Sequence, residues 1–176
     1  MDKNKSTYKL KGFGPLYVIN LDGQPERWQW MKEQLDYWEI KDYTRISAYD
    51  GRPEVGDDLS DIIQGRYPDS MSPGEIGCVT SHLKAIKHFY EETDDPYAII
   101  MEDDCDISTA RYWTFTWRQF ISRIPYDWDI CQVAIICPGE LHVNIHRRFV
   151  NDFSTACYAI TRHHAKKILD HHVRGE

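Results

Sequence analysis

The sequence predicts an α/β domain with a mostly parallel central sheet flanked by helices. Two observations carry that expectation. Short apolar runs alternate with stretches of helical periodicity along almost the whole chain, the pattern of strands joined by helical crossovers. The run at 97–101 is apolar at successive positions, as in a strand buried on both faces, and it empties into Glu102, Asp103, Asp104 and Asp106. The 176-residue length suits one domain that buries roughly 70% of its unfolded surface.

The elements follow in order. Residues 16–20 form an apolar run ending in Asn20; Asp22-Gly23 then makes a turn, and Pro25 stands at a first helical position. Trp28, Met31, Leu35 and Trp38 recur at three- and four-residue spacing, a stripe for the core. A second strand is expected over 43–48, closed by a turn at Tyr49-Asp50-Gly51. Residues 51–74 read as a long loop with one short helix at 59–64, and a loop of that length in a compact domain points to function. Ser72-Pro73-Gly74-Glu75 is a capping box. The helix it starts should bury Ile76, Val79, Leu83, Ile86 and Phe89, while Cys78, Ser81, His82 and Ala85 form a small, polar strip open to close approach. After the acidic strand end, Trp113, Trp117, Phe120, Ile121 and Ile124 step helically, with Ser108 or Thr109 as caps. Strands are expected at 128–136, ended by Pro138-Gly139, and at 156–160, where Thr161 caps a last helix carrying Ala165, Ile168 and Leu169.

Composition excludes several classes. A net charge of −7 argues against a nucleic-acid partner. Five cysteines without a CxxC pair indicate neither a zinc ribbon nor a disulfide framework, and read as small core residues in a reduced setting. His163-His164 and His171-His172 fall on one side of an exposed helix, where solvation is the simpler reading than metal binding. The polar, basic start shows no signal peptide, and no apolar run reaches the roughly eighteen residues of a transmembrane segment. The expected setting is cytoplasmic or peripheral at a membrane face.

The acidic strand end is the first candidate site. Clustered carboxylates repel one another and resist leaving water, so a cluster at the mouth of a buried strand calls for a neutralising cation. A hard divalent ion, Mn2+ or Mg2+, takes oxygen ligands and shares them with phosphate. The alternative is a solvated acidic turn. In open α/β sheets ligands bind beyond the carboxyl ends of the strands, which puts Asn20, Asp22 and the Glu102-Asp103-Asp104 set on one rim with the turn at 49–51 beside them. Arg27 and Arg45 lie near it, suited either to an anion or to ordinary surface pairing. His82 reads equally as a site residue or as a helix histidine bonded to backbone.

Taken in order, VINLDGQPERW at 18–28, ISAYDG at 46–51, SPGEIGCVTSHLKAIKHF at 72–89, YAIIMEDDCDI at 97–107 and TACYAITRHHAKKILDH at 155–171 resemble glycosyltransferase family 25, which includes lipooligosaccharide galactosyltransferases and procollagen hydroxylysine galactosyltransferases. The resemblance implies a GT-A-like domain over 16–176 behind a polar extension at 1–15. It also implies inverting, metal-dependent transfer of a hexose from a UDP-sugar, UDP-galactose or UDP-glucose, to a hydroxyl of a glycan or collagen-like acceptor. On that likeness Asp104 and Glu102 hold the metal, while Asp103 meets the ribose or sugar hydroxyls. Asn20, Asp22, Arg27, Ala48, Asp50, Gly51, Ser81 and His82 line the nucleotide-sugar site. Family members usually continue past the alanine-lysine helix into a segment with another aspartate, whereas this chain stops at Glu176, so the expectation is either a naturally short member or a fragment of a larger protein that lacks part of its acceptor site. Asp152 is then the candidate for the general base. A noncatalytic or incomplete nucleotide-sugar binding domain is the alternative expectation.

Overall fold

The computed structural model describes residues 6–52, 63–134 and 154–174. Its strands are β1 (Leu16–Asn20), β2 (Tyr43–Ser47), β3 (Tyr97–Glu102), β4 (Ile130–Ala134) and β5 (Cys157–Thr161), and its helices α1 (Pro25–Tyr37), α2 (Pro73–Glu92), α3 (Trp117–Ile121) and α4 (Arg162–His172). One five-stranded sheet runs in the order β2-β1-β3-β5-β4. Pairings β1·β2 and β1·β3 are parallel, while β5 is antiparallel to both β3 and β4. The sheet is therefore mixed, not mostly parallel: the first four strands share a direction and β5 enters reversed between β3 and β4. Alternation of elements along the chain cannot signal such an insertion, because strand direction depends on where the strand docks.

The pleat sorts the core into two layers. Leu16 and Val18 of β1, Ile99 and Met101 of β3, and Cys157 and Ala159 of β5 face Met31 and Leu35 of α1. The alternate residues, Tyr17, Ile19, Ala98, Ile100, Tyr158 and Ile160, face Ala85, Ile86 and Phe89 of α2 and Ala165 of α4. Both faces of β1 and β3 are thus covered, which is why these strands read as unbroken apolar runs. Leu10 and Phe13, assigned from sequence to a polar extension, are buried in the α1 layer, with Phe13 edge-on to Trp117 at 4.9 Å.

The caps explain most helix boundaries. Ser72 Oγ accepts from the Glu75 amide at 3.3 Å and the Glu75 carboxylate accepts from the Ser72 amide at 2.7 Å, the expected capping box. Thr161 caps α4 through the His164 amide. The helix expected from 113 onward is instead short, starting at Trp117, because Thr116 and Gln119 form a second capping box. The stretch before it is a 3₁₀ helix, Ile107–Tyr112, capped by Asp106 and by neither Ser108 nor Thr109. Trp113, Phe115 and Phe120 stack across the break, so aromatic spacing had mimicked one continuous helix. On α2 Val79 is 40% exposed instead of buried. The residues at 59–62, 135–136 and 138–139 lie outside the described residues.

Next to the small strip of α2, at Gly77, the helix is covered by the chain itself. A Cβ on Gly77 would lie 2.8 Å from the Gly51 nitrogen and 2.9 Å from the Tyr49 oxygen, and one on Gly51 would lie 1.7 Å from the Pro73 oxygen. Backbone thus meets backbone where the loop after β2 crosses the first turns of α2. Gly77→Ala should therefore destabilise the fold by about 1–3 kcal/mol despite the better helix propensity of alanine. Gly74→Ala, whose Cβ meets nothing within 4 Å, should be neutral or stabilising. Urea denaturation of the two variants checks the contrast.

Candidate functional site

The carboxyl ends of β1 and β3 lie side by side, and Asn20 is the junction between them. Its side-chain amide donates to Asp103 Oδ2 at 2.6 Å and to the Gln24 carbonyl at 3.1 Å. Its Oδ1 accepts twice from Arg45, at 2.8 and 2.6 Å. Its main-chain carbonyl accepts from the Ala48 amide at 3.0 Å. At 1% exposure an amide needs all of these partners. Arg45 also bonds Asp22 at 2.6 Å, and Ser47 donates to the other Asp22 oxygen at 2.8 Å. Those bonds, that of Ser47 first, hold the Asp22 carboxyl below its ordinary range.

Asp103 and Asp104 share one cation, the Arg27 guanidinium, at 2.8 and 2.7 Å. The neutralising charge demanded by the acidic cluster is thus supplied in part by the chain. Asp103 is buried, with both oxygens used by Asn20 and Arg27; burial raises its pKa, against the Asn20 bond and Arg27, which lower it. Asp104 is exposed. Glu26, Arg27, Trp30, Asp103 and Asp104 line an open cleft of about 350 Å³ on this side of the sheet.

Glu102 turns the other way. Successive strand residues point to opposite faces, so Glu102 meets α2 while Asp103 meets α1. His82 Nε2 lies 3.3 Å from Glu102 Oε1, which also accepts from Thr155 Oγ1 at 2.6 Å. His82 Nδ1 is 3.0 Å from the Tyr158 hydroxyl. The His82 bond, ahead of the opposing effect of burial, holds the Glu102 carboxyl below its ordinary value. Partial burial of its sulfur, then the charge of Glu102, push the Cys78 thiol up, against a bond to Thr155 that lowers it.

The loop after β2 completes the rim. Ser81, buried, accepts from the Tyr49 amide at 2.9 Å and donates to the Gly77 carbonyl at 2.6 Å, so its hydroxyl positions the loop. Asp50 pairs with Arg52, which holds its carboxyl down at about 2. Gly51 packs on α2. Asn20, Asp22, Arg27, Ala48, Asp103 and Asp104 are therefore gathered around one hub. His82 and Glu102 form a second group across the strand, and Asp152 lies outside the described residues. Sequence reasoning missed Glu26, Trp30, Cys78, Thr155 and Tyr158. The four-residue step from Cys78 to His82 was a usable signal; Thr155 and Tyr158 arrive through antiparallel pairing and had none.

For a hard divalent ion, the oxygen donors that remain are Asp104, which is exposed and bonds Arg27 through Oδ2, and Glu102. Both offer the oxygen donors that Mn2+ or Mg2+ takes, but they sit in different groups, Asp104 with Arg27 and Glu102 with His82. Asp103 does not fit, since both of its oxygens are engaged.

A family model described as Glycosyltransferase family 25 (LPS biosynthesis protein) matches residues 13–121, more than half of the chain. The matched span holds β1, α1, β2, α2, β3 and α3, and with them the hub, Arg27, His82 and the acidic set; Thr155 and Tyr158 fall beyond it. Comparison with curated proteins finds no match.

Two outcomes follow from the geometry. Arg27→Gln leaves buried Asp103 with half its partners and should cost roughly 1–2 kcal/mol in urea denaturation, a value lowered by the 41% exposure of Arg27. A depressed folded pKa at Glu102 contributes stability that is present above the ordinary 4.5 and lost as pH falls through the folded value. Below pH 4.5 the melting temperature of the wild type should thus fall more steeply than that of Glu102→Gln; parallel curves would contradict this.

Proposed function

The chain belongs to glycosyltransferase family 25 and is a glycosyltransferase; we propose that it moves galactose or glucose, with inversion, from a UDP-sugar to a hydroxyl of a glycan or collagen-like acceptor. The observation that carries the reading is the pair Asp103 and Asp104, turned with Arg27 into one cleft at the carboxyl ends of parallel strands. A GT-A type arrangement of donor and sheet is part of the proposal.

In this reading the hub residues prepare the site before substrate arrives. Asn20 and Arg27 fix Asp103, whose buried carboxylate faces the cleft for the donor's hydroxyls. Asp104 and Glu102 would hold Mn2+ or Mg2+. When bound, such an ion stabilises the negative charge that develops on the departing diphosphate. Arg27, with five donors in its fork, has further N–H groups for the same diphosphate. Asp22, Ala48, Asp50 and Gly51 are assigned to the nucleoside side of the rim, with Ser81 acting on it through the Tyr49 amide. The acceptor hydroxyl must lose a proton to a carboxylate base as it attacks, and Asp152 keeps that assignment. No helix of the described residues is long and apolar enough to cross a membrane.

A panel of UDP-sugars with Mn2+, with and without a hydroxylysine peptide or a lactose-type acceptor, tests the reading by measuring UDP. UDP release that rises with acceptor, stops with chelator and falls at least about a hundredfold in Asp104→Ala is expected. Absence of UDP under every condition, in folded protein, would refute it. A melting temperature raised by UDP and Mn2+ without turnover would instead mark a domain that only binds the donor.

A further inference from the structure

We propose that Cys78, His82 and Glu102 form a cation site of their own, selective for a zinc-type divalent ion over Mn2+ or Mg2+. Cys78 and His82 stand four residues apart on α2, so their side chains project from one side of the helix. Glu102 reaches them from the end of β3. One ligand atom from each, Sγ, an imidazole nitrogen and a carboxylate oxygen, lies within 4.8 Å of the others. A tetrahedral ion with bonds of ~2.0–2.3 Å sets its ligand atoms about 3.3–3.8 Å apart. His82 Nε2 and Glu102 Oε1, at 3.3 Å, already stand at that spacing, and the exposed Cys78 has only a short distance to close.

The surroundings match those of a metal ligand set. A ligating histidine is usually held through its other nitrogen, and His82 Nδ1 faces the Tyr158 hydroxyl at 3.0 Å. An ion would take the place of the Nε2–H bond to Glu102, with the imidazole proton moved to Nδ1 and donated to the Tyr158 oxygen. Thr155 Oγ1 anchors the same carboxylate at 2.6 Å. Sulfur and nitrogen donors favour zinc-type ions, whereas Mn2+ and Mg2+ prefer all-oxygen sets. Binding replaces the Cys78 S–H bond by an S–metal bond and releases the proton to solvent. Thiolate and carboxylate then balance the charge of the ion, and three protein ligands leave a fourth position open. Nothing is oxidised or reduced.

The inference does not depend on the transferase reading. It shares Glu102 with the oxygen set, so the two ions exclude each other there. Co2+ is the probe: titrated into the full, reduced chain without nucleotide sugar, it should produce a thiolate-to-cobalt charge-transfer band. That band should disappear in Cys78→Ser and His82→Ala, and be displaced by Zn2+ but not by equimolar Mn2+. Zn2+ affinity from the competition should fall more than about tenfold in Cys78→Ser. Because Cys78 is exposed, the melting temperature of Cys78→Ser in chelator should equal that of the wild type, which keeps the comparison between folded proteins. A wild type with no band, or a band that survives Cys78→Ser, would overturn the site.

Discussion

The rim depends on one buried amide. Asn20 closes β1 at a point where its two donors and its acceptor oxygen bind β2 through Arg45, β3 through Asp103 and the start of α1 through Gln24. Its carbonyl meanwhile receives the loop after β2 through Ala48. No other side chain of similar size can donate twice and accept twice from one position. A leucine would leave Asp103 with Arg27 alone and Arg45 with Asp22 alone, and a buried group short of a partner costs most in a low-dielectric setting. The order of the rim thus follows from satisfying one residue that the strand has forced into the core.

The second constraint is the pleat at the end of β3. Consecutive carboxylates are sent to opposite faces: Asp103 toward α1 and Arg27, Glu102 toward α2 and His82. An acidic run that looks like a single cluster along the chain therefore serves two environments, one organised by arginine and the other by imidazole, hydroxyl and thiol. Asp104, beyond the last strand residue, is exposed and stays on the Arg27 side.

Much of this was legible before any coordinates. The apolar runs marked β1 and β3, Pro25 and the Ser72 box marked helix starts, and the polar strand ends marked the rim, because each is a local chemical signal. The failures share a cause in non-local contact. The reversal of β5 depends on where a strand docks, and Thr155 and Tyr158 come to the site only through that docking. The strip of Cys78, Ser81, His82 and Ala85 was read as permitting close approach; at Ser81 what approaches is the chain's own loop, which also packs on neighbouring Gly77, a residue outside that strip. The charge repulsion among Glu102, Asp103 and Asp104 was real, but sequence could not show that Arg27, one helix turn into α1, answers part of it.

The central claim is that donor diphosphate and its ion meet at the carboxyl ends of β1 and β3. Paramagnetic broadening by Mn2+ tests it most directly, in isotopically labelled protein with UDP present. Substoichiometric Mn2+ should erase the amide signals of Asn20, Leu21, Ala48 and Glu102 through Asp104 first, and leave those of Leu16, Tyr43 and Tyr97 at the opposite ends of the same strands sharp. Broadening confined to the histidine-rich α4, or spread evenly over the acidic surface, would contradict the account.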